Sequence, residues 1–353
     1  MQSPSETDRL AAVLDRRRSR RPEQNSGSEL VRVSPGVRRP WQPALAEATV
    51  PGVDLCDWVT SHLHPVRELI TAHGALVLRG MVCDVESFGR TVAEVAGDQL
   101  AEYTNRSTPR SRVAGRVFTS TEYSADHAIP MHSEQSYTSR WPLLLGFYGE
   151  LPAETGGETP LAPTDQVLDL LPADLVDRFV ERGVCYERWY HPNVGLPWTE
   201  VFQTEDPAEM QRICADSGIE VSWHEDGLLR TRQPAQVVTR HPVSGATVWF
   251  NQANLFHPAA LPESVSGPLR RTYGERLPRS VSFGDGSPIP DEYVRLIEEA
   301  FTTASWRAPW TAGDVVLVDN VAVAHGRRPY TGARRVLVAM AGTGQADDGG
   351  NGE

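Results

Sequence analysis

The stretch Ile129-Pro130-Met131-His132-Ser133-Glu134-Gln135-Ser136-Tyr137 decides how this chain is read, and His325 answers it near the far end. On a β-strand, residues i and i+2 project to the same face. A strand here would set His132 and Glu134 side by side toward one ion, with Ser133 turned away. Two imidazoles and one carboxylate suit Fe(II) and leave coordination positions open for oxygen chemistry. The competing reading is a hydrogen-bonded histidine beside a solvated glutamate, because a bare His-x-Glu recurs by chance. The surrounding sequence has to discriminate.

Working outward, the segments 75–78, 144–148, 237–239, 247–250, 315–318 and 336–340 read as strands, short and apolar. Apolar spacing predicts helices over 56–72, 85–96, 167–181 with an interruption at Pro172, and 291–303. Asp206-Pro207 opens another, with Asp as cap and Pro in the first turn. Short strands, long insertions and metal candidates on separate strands predict a mainly β protein with flanking helices. The expected core is a double-stranded β-helix, or jelly roll, holding a small ligand in its mouth. Segment 183–235 looks irregular and carries Trp189, Tyr190, Trp198 and Trp223. It reads either as an insertion folding over that mouth or as aromatic surface packing. The expected layout is a polar, partly flexible extension over 1–45, one jelly-roll domain over 46–341 and a flexible tail over 342–353. The extension holds a basic run at 15–21, and a short helix is expected around 6–18.

Composition narrows the function classes. The 353 residues are 40% hydrophobic and 23% charged, as in ordinary globular proteins. A net charge of -12 argues against general nucleic-acid binding. No apolar run approaches the ~20 residues that cross a bilayer, and the polar N-terminus does not read as a secretory signal. Cys56, Cys83, Cys185 and Cys214 are scattered without a CxxC pair, which fits free thiols in a reducing cytoplasm.

Beyond the first motif come Gly156-Gly157-Glu158-Thr159-Pro160, Asp319-Asn320, His325-Gly326-Arg327-Arg328-Pro329-Tyr330 and Arg334-Arg335. In that order they resemble the TauD/TfdA-type Fe(II)/2-oxoglutarate dioxygenases over roughly residues 70–341, and within them the SyrP-like branch, which tends to carry Glu as the carboxylate. The resemblance implies that His132, Glu134 and His325 bind Fe(II). It also implies an arginine at the far carboxylate of 2-oxoglutarate, since a planar guanidinium pairs with carboxylate bidentately. Arg334 and Arg335 are the candidates, and strand alternation lets only one enter the barrel. Thr159 either adds a hydroxyl to that carboxylate or caps a turn. Gln135, Tyr137, Asn251 and Arg327 are candidate substrate contacts, with Arg328 and Gln252 beside them, unless they serve only a buried hydrogen-bond network.

The activity so implied is O2-dependent hydroxylation of an unactivated C–H bond. The substrate would be an amino acid or amino-acid-derived small molecule in specialised-metabolite or antibiotic biosynthesis, free or tethered to a carrier protein, with no nucleic acid and no membrane involved. Glu134 speaks against halogenation, which vacates the carboxylate position for chloride. Desaturation, epoxidation and cyclisation share the same oxidising chemistry. A cupin-like hydrolase or isomerase would use the triad without 2-oxoglutarate, as would a non-catalytic binder; the paired arginines and the intact triad speak against them.

Overall fold

Strands that are apolar on both faces build the centre of the molecule. The computed structural model describes residues 30–346 apart from 103, 104, 106, 109 and 122. Its main sheet has eight strands in the order Val31–Ser34, Ala44–Ala48, Ala75–Arg79, Val315–Asp319, Arg140–Leu151, Arg335–Gln345, Val117–Thr119 and Arg112–Ala114. All neighbours are antiparallel except Ala44–Ala48 against Ala75–Arg79. On one face Leu76, Leu78, Val315, Leu317, Leu337 and Ala339 pack against the helices Leu55–Ser61, Leu63–His73 and Val85–Ala96. On the other, Val77, Val316, Val318, Val336, Val338 and Met340 pack with Leu161 and Val323. Each large apolar side chain buried this way contributes about 1.5–3 kcal/mol. Gly146 allows the helix Val85–Ala96 to sit close, because a Cβ there would stand 2.3 Å from Val92 Cγ2.

Leu161 and Val323 belong to a three-stranded antiparallel sheet, ordered Leu161–Pro163, Val323–Arg327 and Ile129–His132. Two sheets closed over one apolar layer are the double-sheet jelly roll. His325 lies in that layer's rim, its ring centroid 4.9 Å from that of Phe147 on the main sheet.

Segment 183–235 is not irregular. Glu220–Trp223, Leu229–Ala235 and Val184–Tyr190 form a four-stranded antiparallel sheet completed by Ser280–Phe283. The residues buried along Leu229–Ala235 include Thr231 and Gln233, so the hydrophobic period is muted there. Their neighbours Arg230 and Arg232 pair outward with Glu187 and Glu220. Asp206 caps the helix Pro207–Asp216, accepting from Ala208 N at 2.9 Å.

The outer boundaries also move. Val31–Ser34 and Ala44–Ala48 are already in the main sheet, so the folded chain begins well before residue 46. Arg335–Gln345 runs past 341, with Gln345 opposite Arg140. The helix expected over 6–18 and the basic run lie outside the described residues. Among the described residues, no helix is long and apolar enough to cross a membrane.

Candidate metal centre

His132 and His325 are cross-strand partners, with ring centroids 4.5 Å apart. Glu134 joins them differently from what the i, i+2 spacing predicts. The strand Ile129–His132 ends at the histidine, and Glu134 sits in the turn that follows. Backbone clamps bring it back. Asn320 Oδ1 accepts from Glu134 N at 2.7 Å, while Asn320 Nδ2 donates to the carbonyls of Glu134 at 2.9 Å and Pro142 at 2.8 Å. Gln252 Nε2 donates to Ser133 O at 2.7 Å. Gln135 then takes a left-handed φ of 55°, and the Thr138 hydroxyl donates to its carbonyl at 2.7 Å. The outcome is one ligand atom each from His132, Glu134 and His325, all within 4.8 Å of one another and all buried.

The electrostatics suit metal ligation. Burial lowers the pKa of His132, and lowers that of His325 well below 6.5 with help from His132 and Arg110. Both rings are therefore neutral at neutral pH, the form that binds metals. His132 Nδ1 donates to Pro130 O at 2.8 Å, which leaves the Nε2 lone pair for an ion. His325 Nδ1 is buried without a hydrogen-bond partner among the described residues. A purely structural network would satisfy that nitrogen. Glu134 Oε2 pairs with Arg110 at 2.5 Å, both side chains being buried. Two neutral imidazoles and a carboxylate in one cluster fit Fe(II).

A small cavity of about 30 Å³ adjoins the two histidines, lined also by Arg334, Thr159, Arg327 and Phe147. Strand parity separates the two arginines. Arg334 shares parity with Val336 and Val338, which face the inner apolar layer. Arg335 turns the other way and pairs with Glu150 at 2.8 Å, its side chain 49% exposed. Arg334 Nε donates to Gly157 O at 2.9 Å and reaches Ser120 Oγ only at 3.4 Å. It has no carboxylate partner among the described residues. Burial, then the charge of Arg327, pushes its pKa down to about 10. An acid group in this cavity would relieve that. Gly157, at φ 70°, admits Arg334 so closely that a Cβ would stand 3.0 Å from its Cδ. Thr159 Oγ1 accepts from Trp310 Nε1 at 3.3 Å.

A larger cavity of about 680 Å³ opens onto His132 and Glu134. Its other walls include Arg188, Trp189, Phe256, Arg279 and Glu298. None of the four candidate substrate contacts is in its lining. Tyr137 donates to Asn105 O at 2.6 Å, and Asn251 spans Val237 O at 2.9 Å and Ala253 N at 3.0 Å. Gln135 serves the turn after Glu134. Arg327 donates to the carbonyls of Tyr123 and His127, both at 2.9 Å, and fixes the loop between them. Arg110, Arg188, Arg279 and Glu298 were not foreseen, and nothing in their local sequence marks them. Asn320 did stand in the distal motif, without a role.

Known proteins place this arrangement in a family. Residues 38–341 match the TauD, TfdA family, described as taurine catabolism dioxygenase TauD. The chain is 38% identical over 279 residues to the dapdiamide synthesis protein DdaC of Enterobacter agglomerans, covering 78% of this chain and 84% of that one. It is 30% identical over 315 residues to a clavaminate synthase-like protein of Arabidopsis thaliana, covering 84% and 91%. A taurine dioxygenase structure from Burkholderia xenovorans shares the fold, with a TM-score of 0.51 at 17% identity over 91% of this chain and 93% of that one. The chain belongs to the TauD/TfdA family and is a 2-oxoglutarate-dependent dioxygenase that works with Fe(II) and O2.

Proposed function

We propose that this protein hydroxylates an unactivated C–H bond of an amino acid, or of an amino-acid-derived intermediate free or carrier-bound, in specialised metabolism in the cytoplasm. One observation carries the reading: a cavity large enough for such a molecule opens directly onto His132 and Glu134, with further charged groups in its lining. The relative DdaC, named for dapdiamide synthesis, supports the metabolic setting.

His132, Glu134 and His325 would hold the Fe(II). With 2-oxoglutarate and O2 it supplies the oxidising power for C–H cleavage. Arg334 would take the far carboxylate of 2-oxoglutarate, with the Thr159 hydroxyl beside it. Phe147, Val336 and Val338 keep that corner dry, which strengthens the pairing. Arg110 pairs with the Glu134 carboxylate and would orient it. Leu255, Phe256, Leu261 and Leu269 line the substrate cavity and exclude water, so that oxidation is directed to the bound molecule. Glu134 fills the carboxylate position, which supports hydroxylation over halogenation.

The test begins without oxygen. Fe(II) and 2-oxoglutarate added to purified protein should produce the visible metal-to-ligand charge-transfer band, and O2 with a panel of amino acids should then release succinate and yield a product one oxygen atom heavier. Folded protein that shows no band would sink the proposal.

A further inference from the structure

Two opposite charges line the large cavity without neutralising each other. Arg279, just ahead of the strand Ser280–Phe283, has no hydrogen-bond or ion-pair partner among the described residues. Its Cζ stands 5.8 Å from the centre of the Phe256 ring, and Arg188 Cζ stands 5.4 Å from the same centre. Two guanidinium groups thus share one aromatic ring inside a largely apolar cavity. Burial holds the Arg279 pKa below its ordinary value, and the nearby Arg188 adds to this.

Glu298 lines the same cavity from the helix Asp291–Ala304. Asn254 Nδ2 donates to its Oε1 at 3.2 Å. Its Oε2 has no hydrogen-bond partner, and no cation pairs with it, among the described residues. Burial pushes its pKa upward. A buried charge without a partner is costly, and two of opposite sign in one cavity would ordinarily close on each other.

We infer that Arg279 and Glu298 are the anchors of a zwitterionic substrate: a free carboxylate meets the Arg279 guanidinium, and a protonated amine meets Glu298. Arg188 reinforces the positive potential at the carboxylate end. The cavity lining is largely apolar, with Leu255, Leu261 and Leu269 available to the carbon skeleton, and it opens onto His132 and Glu134. This rests on the amino-acid reading above and names the chemistry that reads the substrate's two ends. It also gives Phe256 a purpose, as the flat surface that holds the two guanidinium groups apart from bulk water.

The test is anaerobic calorimetry on protein loaded with Fe(II) and 2-oxoglutarate. The probes are the proteinogenic L-amino acids, each as free acid, C-terminal amide and Nα-acetyl derivative. The free acids that bind should do so at least about tenfold more tightly than their amides and acetyl forms. Arg279→Gln should erase the acid-over-amide preference alone, and Glu298→Gln the amine-over-acetyl preference alone. Arg279→Lys keeps the charge and should keep the preference, which separates loss of charge from loss of fold. The charge-transfer band depends on the triad and Arg334, so it should survive in all three variants. Amides binding as well as acids, a preference that persists in Arg279→Gln, or no amino acid binding below about 10 mM would overturn the inference. Loss of the band in the unsubstituted protein would overturn the dioxygenase proposal instead, and the same titrations on the metal-free protein would still score the anchors.

Discussion

Two groups of residues in the lining of the large cavity are built on opposite plans. On the metal side, nearly every polar group that positions a ligand is tied to backbone: His132 to Pro130 O, Glu134 through both Asn320 contacts, Ser133 through Gln252. Elsewhere in the lining, Arg279 and Glu298 project charge with little or nothing to balance it. The first plan permits one geometry, as ligation requires. The second leaves bonding capacity unspent, as recognition requires. The chemistry and the choice of substrate thus rest on different side chains: the triad on the three-stranded sheet and its turn, and Arg279 and Glu298 beside the four-stranded sheet and on the helix Asp291–Ala304.

Removing a ligand tests the metal side most harshly. His132→Ala should abolish the charge-transfer band and all turnover while the protein stays folded. A band of undiminished intensity in that variant would remove His132 from the site. Arg334→Ala comes next. Loss of a bidentate, charge-assisted pair is worth about 3 kcal/mol, so the KM for 2-oxoglutarate should rise about a hundredfold. Arg335→Ala removes only a surface pair with Glu150 and should change that KM less than twofold, an exposed pair being worth about 0–1 kcal/mol. Equal effects in the two variants would break the parity argument that separates them.

Asn320 measures how far the clamps matter. Asn320→Ala orphans the N–H and carbonyl of Glu134 and the carbonyl of Pro142. The expected cost is about 3 kcal/mol of stability. Fe(II) affinity should fall about 10–100-fold, as when outer-shell partners of metal ligands are removed. Denaturant melts and metal titration read the two effects separately. A destabilised variant with unchanged Fe(II) affinity would make Asn320 a packing residue only.

A gentler probe is pH. His132 and His325 have folded-state pKa values below 6.5 because burial disfavours the imidazolium. Below 6.5 the unfolded chain therefore takes up protons that the folded chain refuses. Stability of the metal-free protein should be level above 6.5 and should fall as pH drops toward the folded-state values. Substituting Phe for His325 should flatten that slope. An unchanged slope would mean that the acid sensitivity comes from elsewhere.

The same contrast explains what could be read in advance. The strands Ala75–Arg79 and Val315–Asp319 were legible because both faces are apolar and the runs are unbroken. The triad was legible as a set of residue types, whereas Arg334 and Arg335 stayed open until the structure set Arg334 in the small cavity and Arg335 against Glu150. Glu134 was placed on a strand because its clamp, Asn320, lies 186 positions away and no local signal announces it. The four-stranded sheet hid because Thr231 and Gln233 occupy inward positions where a strand usually shows Val or Ile. Arg279 and Glu298 follow no motif; only the shared cavity relates them.

The smallest expected effect bears on the aromatic residues of segment 183–235, which sequence treats alike. Trp189 and Tyr190 line the cavity, whereas Trp223 is 45% exposed and meets Trp198 edge-on at 6.1 Å. An edge-on pair at the surface contributes about 0.5–1.5 kcal/mol. Trp223→Ala should therefore cost no more than that in stability and leave the affinity for a bound amino acid unchanged within twofold. Trp189→Ala, by contrast, removes a wall of the cavity and should weaken binding while sparing the charge-transfer band. If the two substitutions affect binding equally, segment 183–235 acts on substrate as a whole, through its own rigidity. If only Trp189 matters, recognition is confined to side chains that face the cavity, and the remaining aromatics only hold that segment together.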